Sequence, residues 1–324
     1  MKQVPIDALL ETPSDGVTYQ TEWTMHGQQG RRAVWLEIAL FAGAVGPGLF
    51  VVAAWTGLRL GLLAGYLIVA AGYALPHLLF LGRIERFWRG MLRPGRSWIS
   101  RGFLFANLFM VFGLLSVAHY VPGLDRGPLA AGSSGWNAIV QIAAVSAVLL
   151  ATYPGFLFST LRAIPFWQSA ALVPLFLVQG LAGGAALAML IAAAQAGGAA
   201  VLAALVFADF ALLLISAALF ASHLALRWRA GEAGQASVRQ MVSGKYRNLF
   251  LIGALPGLVL PVVLLVVALP AGWPAAALSA APLQLLGILL LKYCILNVGA
   301  YSPVFNPRLL RRAGTKEQGL GTGD

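Results

Sequence analysis

The sequence predicts an all-α, polytopic membrane bundle of about eight transmembrane helices. Three observations predict it. Hydrophobic residues make up 59% of the chain and charged residues 10%, against roughly 25% charged in a soluble domain, and the mean hydropathy is +0.80. Apolar runs of the ~20 residues needed to cross a bilayer recur along the whole chain. The basic residues are confined to the short polar stretches between those runs. The net charge of +11 is therefore read as a membrane topology signal and not as a nucleic-acid footprint.

The predicted spans, in order, are Ala33–Thr56, Arg59–Gly82, Gly102–Val121, Trp136–Thr160, Ala170–Gln195, Ala199–Leu226, Asn248–Leu269 and Ala275–Val298. They define a polar N-terminal segment (1–32), a transmembrane domain (33–298) and a polar, basic tail (299–324). The polar start and the length of the first apolar run give no expectation of a cleavable signal peptide. Small residues are abundant, as in Gly43-Ala44-Val45-Gly46-Pro47-Gly48 and Leu181-Ala182-Gly183-Gly184, and let transmembrane helices approach closely. Pro47, Pro76, Pro154, Pro174, Pro256, Pro261 and Pro282 fall within apolar runs. Each frees a backbone carbonyl that a neighbouring helix or a polar cavity must satisfy.

Orientation follows from Lys and Arg. With eight spans both termini share one side. That side holds Lys2, Arg31, Arg32, Arg162, Arg227, Arg229, Arg239, Lys245, Arg247, Arg308, Arg311, Arg312 and Lys316. It also holds the loop LGRIERFWRGMLRPGRSWISRG, Leu81 to Gly102, with Arg83, Arg86, Arg89, Arg93, Arg96 and Arg101 among Phe87, Trp88 and Trp98. The opposite side has Arg59 and Arg126. The positive-inside rule places both termini in the cytoplasm. Arginines do not remain in lipid and tryptophans settle at the headgroups, so the loop is expected at that surface, facing lipid phosphate or a partner protein.

Ionisable residues within a span are costly and become functional candidates. They are Glu37, His77, His119, Asp209, His223 and Lys292. At about 1.5 Å per residue, Glu37, His77, His223 and Lys292 fall within ~10 Å of the arginine-rich ends of their helices. Tyr153 sits at similar depth, His119 is near the other surface, and Asp209 is closer to mid-membrane. Such a group of donors and a carboxylate at one level suits a quinone headgroup, whose carbonyl oxygens need donors and whose reduction takes up protons. The plainer reading is snorkelling and interhelical hydrogen bonding. His77 and His223 are also candidates for a haem held from two helices. Glu37, Asp209 and Lys292 are candidates for proton transfer. The lone Cys294 excludes a disulfide or a cysteine-ligated cluster within the chain. No phosphate-binding glycine loop, HExxH or paired CxxC is present, so no motif holds a metal or redox centre.

Three stretches resemble the NrfD-like family, the membrane subunits of polysulfide reductase and related complexes. WLEIALFAGAVGPGLF, Trp35 to Phe50, resembles the family's glycine-rich first helix. The arginine loop is similar to its LGRP-x-RFW…SWxSRG pattern, with Ile84 where proline is frequent. TYPGFLFSTLRAIPFW, Thr152 to Trp167, resembles its Y-x-G…S…AxPxW segment. The Asn and His that polysulfide reductase carries in its first helix have no counterpart here. The resemblance implies a membrane anchor in a prokaryotic cytoplasmic membrane that exchanges electrons between quinone (menaquinone or ubiquinone) and a ferredoxin-like iron–sulfur subunit. That subunit is in turn linked to a molybdopterin catalytic subunit. It implies Tyr153 as a quinone ligand, with Glu37 in the region that completes the site. His77 joins them from its depth, and the loop arginines become the docking surface. Two other readings stay open from the residues: a secondary transporter or channel built around Asp209, Lys292 and broken helices, and a purely structural anchor.

Overall fold

The computed structural model describes residues 33–81, 84–195, 198–271 and 274–300. The segment 1–32, the tail from 301 with Arg308, Arg311 and Arg312, and Arg83 of the loop lie outside the described residues. Among the described residues every regular element is helical, and eight helices are long and apolar enough to cross a membrane.

The spans begin with α1 (Ala33–Thr56). Helix α2 runs from Arg59 to Leu81 in three pieces: an α-helix Arg59–Leu67, a π-helix Ile68–Ala74 and an α-helix Leu75–Leu81. Then come α3 (Trp98–Val117), α4 (Ser134–Ser159), α5 (Leu172–Ala193) and α6 (Ala199–Trp228). A short helix, α7 (Glu232–Val242), follows at the arginine-rich face. Helix α8 contains a second π-turn, in the order Arg247–Ala254, Leu255–Val259 and Leu260–Ala271. Helix α9 (Pro274–Asn297) completes the bundle.

All eight predicted spans are present, with differences at their ends. Helix α3 starts at Trp98, four residues earlier than expected, because the Ser97 side chain accepts from the Ser100 amide at 3.4 Å. Helix α4 starts at Ser134, where Ser133 accepts from the Trp136 amide at 3.0 Å. These are N-caps, which satisfy amides the first turn leaves unpaired. The π-turns follow from proline. Pro76 has no N–H to offer the carbonyl of Gly72, and the turn ahead of it widens, with the Leu75 amide donating to Ala70 O five residues back. Pro261 stands two residues past the second π-turn in the same way, with the Leu260 amide donating to Leu255 O five residues back.

The eight spans form two groups of four. In the first, α1 packs on α2 and α4, and α3 packs on α4 and α2. In the second, α5 packs on α6 and α9, and α8 packs on the same two. The halves meet where α5 lies against α1 and α4. That seam is built from glycine. A Cβ on Gly48 would collide with the Gly180 backbone, one on Gly184 with the Gly48 backbone, and one on Gly155 would lie 2.7 Å from Val173 Cα. The small-residue runs read from the sequence are therefore the contact between halves, where backbones touch and dispersion replaces the missing hydrophobic drive.

Candidate functional site

Helix α2 carries Tyr73 at the end of its π-turn and His77 one turn further, so the two share a face. Their rings are 4.7 Å apart. Tyr73 Oη donates to Tyr153 Oη of α4 at 3.2 Å, with both tyrosines buried. Glycines on the flanking helices make room for the rings. A Cβ on Gly43 of α1 would lie 2.5 Å from the Tyr73 ring, and one on Gly102 of α3 would lie 2.5 Å from the Tyr153 ring. All four helices of the first half thus meet around one tyrosine pair. The pair lies about 9 to 12 Å from the arginine-rich ends of α4 and α2.

The chemistry available is hydrogen-bond donation in an apolar setting. A phenol has one proton and accepts as well. One O–H fills the Tyr73–Tyr153 bond, and the Tyr153 proton is left to point at a third group. His77 Nδ1 is buried and has no partner among the described residues. The Tyr153 O–H and the Nδ1–H tautomer of His77, with no acceptor among the described residues, fit a ligand carbonyl oxygen.

Of the residues expected in this site, Tyr153 and His77 come together, joined by Tyr73, which the sequence reading missed. Glu37 is engaged elsewhere. Its Oε1 accepts from Asn297 Nδ2 of α9 at 3.1 Å, and Asn297 also donates to Tyr293 O at 3.0 Å. Glu37 therefore links the two halves at the arginine-rich face. Asp209 and Lys292 lie in the second half. Asp209 Oδ1 accepts from Gln284 Nε2 at 2.8 Å, and Lys292 Nζ sits 3.7 Å from the centre of the Phe176 ring. His119, at the other face, bonds through Nδ1 to Ser116 O at 3.0 Å. His77 contacts Tyr73 and His223 contacts Phe166, so each of the two histidines once paired for haem has its own aromatic neighbour.

The arginine loop opens with a 3-10 helix, Ile84–Met91. Phe87 rests on Phe103 at 5.6 Å, and Trp98 stacks flat on Phe156 of α4 at 4.4 Å, so the loop is seated on α3 and α4. Arg101 is its brace. Nε donates to Pro94 O at 2.8 Å, Nη2 donates to Gly95 O at 3.1 Å, and the guanidinium lies 4.4 Å over Trp98. Arg86, Arg89, Arg93 and Arg96 are exposed and form the basic surface above the tyrosine pair. The Thr152–Trp167 stretch is anchored in a similar way. Trp167 Nε1 donates to Ile295 O at 2.7 Å, and Arg227 Nη1 donates to Pro165 O at 2.8 Å.

No curated protein matches the chain. A family model described as polysulphide reductase, NrfD, matches residues 52–303. The match takes in Tyr73, His77, the arginine loop, Tyr153, Asp209 and Lys292 and begins after Glu37. The chain belongs to the polysulphide reductase NrfD family of membrane subunits of oxidoreductase complexes.

Proposed function

We propose that this chain is the quinone-reactive subunit of its complex, passing electrons and protons between membrane quinone or quinol and an iron–sulfur subunit docked on the arginine-rich face. The observation that carries the reading is the buried Tyr73–Tyr153 pair with His77 beside it. A quinone supplies carriage of two electrons and two protons through lipid. The chain's part is to hold its carbonyl with the Tyr153 O–H and His77, and to exclude water with the packed Gly43 and Gly102 walls. Glu37, partly exposed and held by Asn297, is placed to hand protons to the surface. The headgroup class, menaquinone or ubiquinone, belongs to the same proposal.

The exposed arginines Arg86, Arg89, Arg93 and Arg96 offer a concentrated positive field to an acidic partner. A ferredoxin-like subunit wired to a molybdopterin subunit is the partner proposed, on the cytoplasmic side of a prokaryotic inner membrane. The distribution of basic residues supports that side.

The test uses the complex purified with its partners. Tyr153→Phe should lower quinone-linked turnover and binding of a fluorescent quinone analogue about ten-fold, the scale of one lost donor, with all subunits retained. Unchanged turnover and binding would place the quinone away from this pair. Arg86→Glu with Arg89→Glu should release the iron–sulfur partner on a pull-down, and undiminished capture would remove the docking role.

A further inference from the structure

The basic residues of the second half stand differently from those of the arginine loop. Between Trp228 and Arg247 there are four of them, Arg229, Arg239, Lys245 and Arg247, all exposed, against one acid, Glu232. They sit where α6 ends, α7 crosses and α8 begins. Arg227, by contrast, turns inward and donates to Pro165 O.

Helix α7 is a fixed platform. Gly231, at φ +93°, turns the chain from α6 directly into it. A Cβ on Gly234 would collide with Arg227 O, so the first turn of α7 lies against the end of α6. Ala233, Ser237, Val238 and Met241 recur at the helical period and form its buried face. Ser237 Oγ donates to Ala233 O and accepts from the Ala300 amide, each at 2.9 Å. Arg239 and Val242 are left exposed on the outer face.

That outer face meets the lipid side of α6. Phe207, Leu214, Ala221 and Trp228 follow one another at intervals of seven residues, share one face and are all exposed, Phe207 to 67%. On a membrane-spanning helix an exposed stripe of this length faces acyl chains. Its last member, Trp228, is an indole at the headgroup level. The Arg239 guanidinium lies 5.5 Å from the centre of that ring. A cation is thus held at the top of a lipid-facing stripe, at the side of the bundle and not above it.

We propose that this corner binds an anionic phospholipid of the surrounding leaflet, with its phosphate on Arg239 and Arg229 and one acyl chain along Trp228, Ala221 and Leu214. The ring contact orients the guanidinium without using its N–H donors, and those donors match the oxygens of a phosphate. A soluble acidic partner meets basic residues from above and gains nothing from the stripe beneath Trp228. A phospholipid uses both, because its charge and its chain are joined in that order. The bound lipid braces the ends of α6 and α8 through α7. The proposal is independent of what the tyrosine pair binds.

The test is photolabelling of the full-length chain with its partners in phosphatidylcholine nanodiscs. Two probes, a phosphatidylglycerol and a phosphatidylcholine, carry the same diazirine near the glycerol end of one chain. Adducts are mapped by mass spectrometry on residues 221–229. The standard is residues 259–267 of α8, where Val263 and Val266 are exposed, Val263 about 24 Å along the helix from Arg247. Phosphatidylglycerol should label the α6 end about five-fold more than phosphatidylcholine, the gain from one engaged arginine, and the two should label the standard equally. In Arg239→Gln and, separately, in Arg229→Gln the excess should fall toward the standard. Equal labelling of the α6 end by the two probes in the wild type would overturn the proposal. So would an excess that persists unchanged in both variants, eluting normally on gel filtration. Labelling of the standard with no adduct of either probe at the α6 end would show that a protein subunit covers the corner, and would overturn it as well.

Discussion

In the first four helices three buried or half-buried polar side chains gather at one level, where Tyr73 and Tyr153 bond to each other and His77 leans on the pair. In the second half the buried polar groups are spread over depth, from Asp209 and Gln284 at mid-membrane to Lys292 near the surface, and most of their atoms find no partner among the described residues. The first arrangement suits a ligand that arrives sideways from lipid and stops at one depth. The second suits bound water held between packed helices. Two groups of four helices with similar packing thus present different polar geometries, and the Gly48–Gly180–Gly184 seam holds them in one body.

The largest effect is expected at that seam. Gly48→Ala places a methyl group on the Gly180 carbonyl, where backbone must move, and overpacking of this kind costs ~3 kcal/mol or more. The detergent-solubilised chain should lose its monodisperse peak on gel filtration. Gly95→Ala, in the arginine loop with open space around it, should leave the peak unchanged. A stable Gly48→Ala protein would mean that the halves are not locked by backbone contact.

Next in size is Gly102→Ala. Its methyl would press on the Tyr153 ring at 2.5 Å, at a cost of ~1–3 kcal/mol. The ring must turn out of line with Tyr73. Binding of the fluorescent quinone analogue should weaken about ten-fold, while phosphatidylglycerol labelling at the α6 end in the other half stays as it was. Loss at both places would show that the halves are coupled and would break the comparison.

What the sequence made legible divides along physical lines. Length and apolarity are local, and they located all eight spans within a few residues. The misses at α3 and α4 came from serine caps, whose effect depends on backbone geometry just outside the apolar run. Tyr73 was missed because a tyrosine in an apolar segment usually marks an interface. Its spacing of four from His77 was the available signal. Gln179, Gln284 and Asn297 were passed over because amides carry no charge, yet buried in a membrane they need partners as much as charged groups do. The division into two groups of four depends on contacts between distant segments, which one sequence does not reveal.

A smaller effect is expected at Asn297, which ties Glu37 of the first half to α9 of the second. Asn297→Ala removes one hydrogen bond between the halves and should lower the thermal midpoint by the equivalent of ~0.6 kcal/mol, the mean for interhelical bonds in membranes. Asn297→Asp puts a carboxylate beside Glu37 and should destabilise more. An equal response from the two would show that Glu37 draws nothing from this contact.

A substitution at Gln179 decides the most about the second half. Gln179 has neither amide atom satisfied by the described residues and is 1% exposed. In a dry interior, replacing it by leucine of similar length removes a desolvation cost of ~1–3 kcal/mol and stabilises the chain. In a hydrated interior the same change takes a partner from bound water and lowers stability by ~1 kcal/mol. The expected outcome is the loss, read as a lower thermal midpoint. A gain in thermal midpoint would mean that the second half, like the first, is packed without water, and that its unpaired groups mark strain and not bound water.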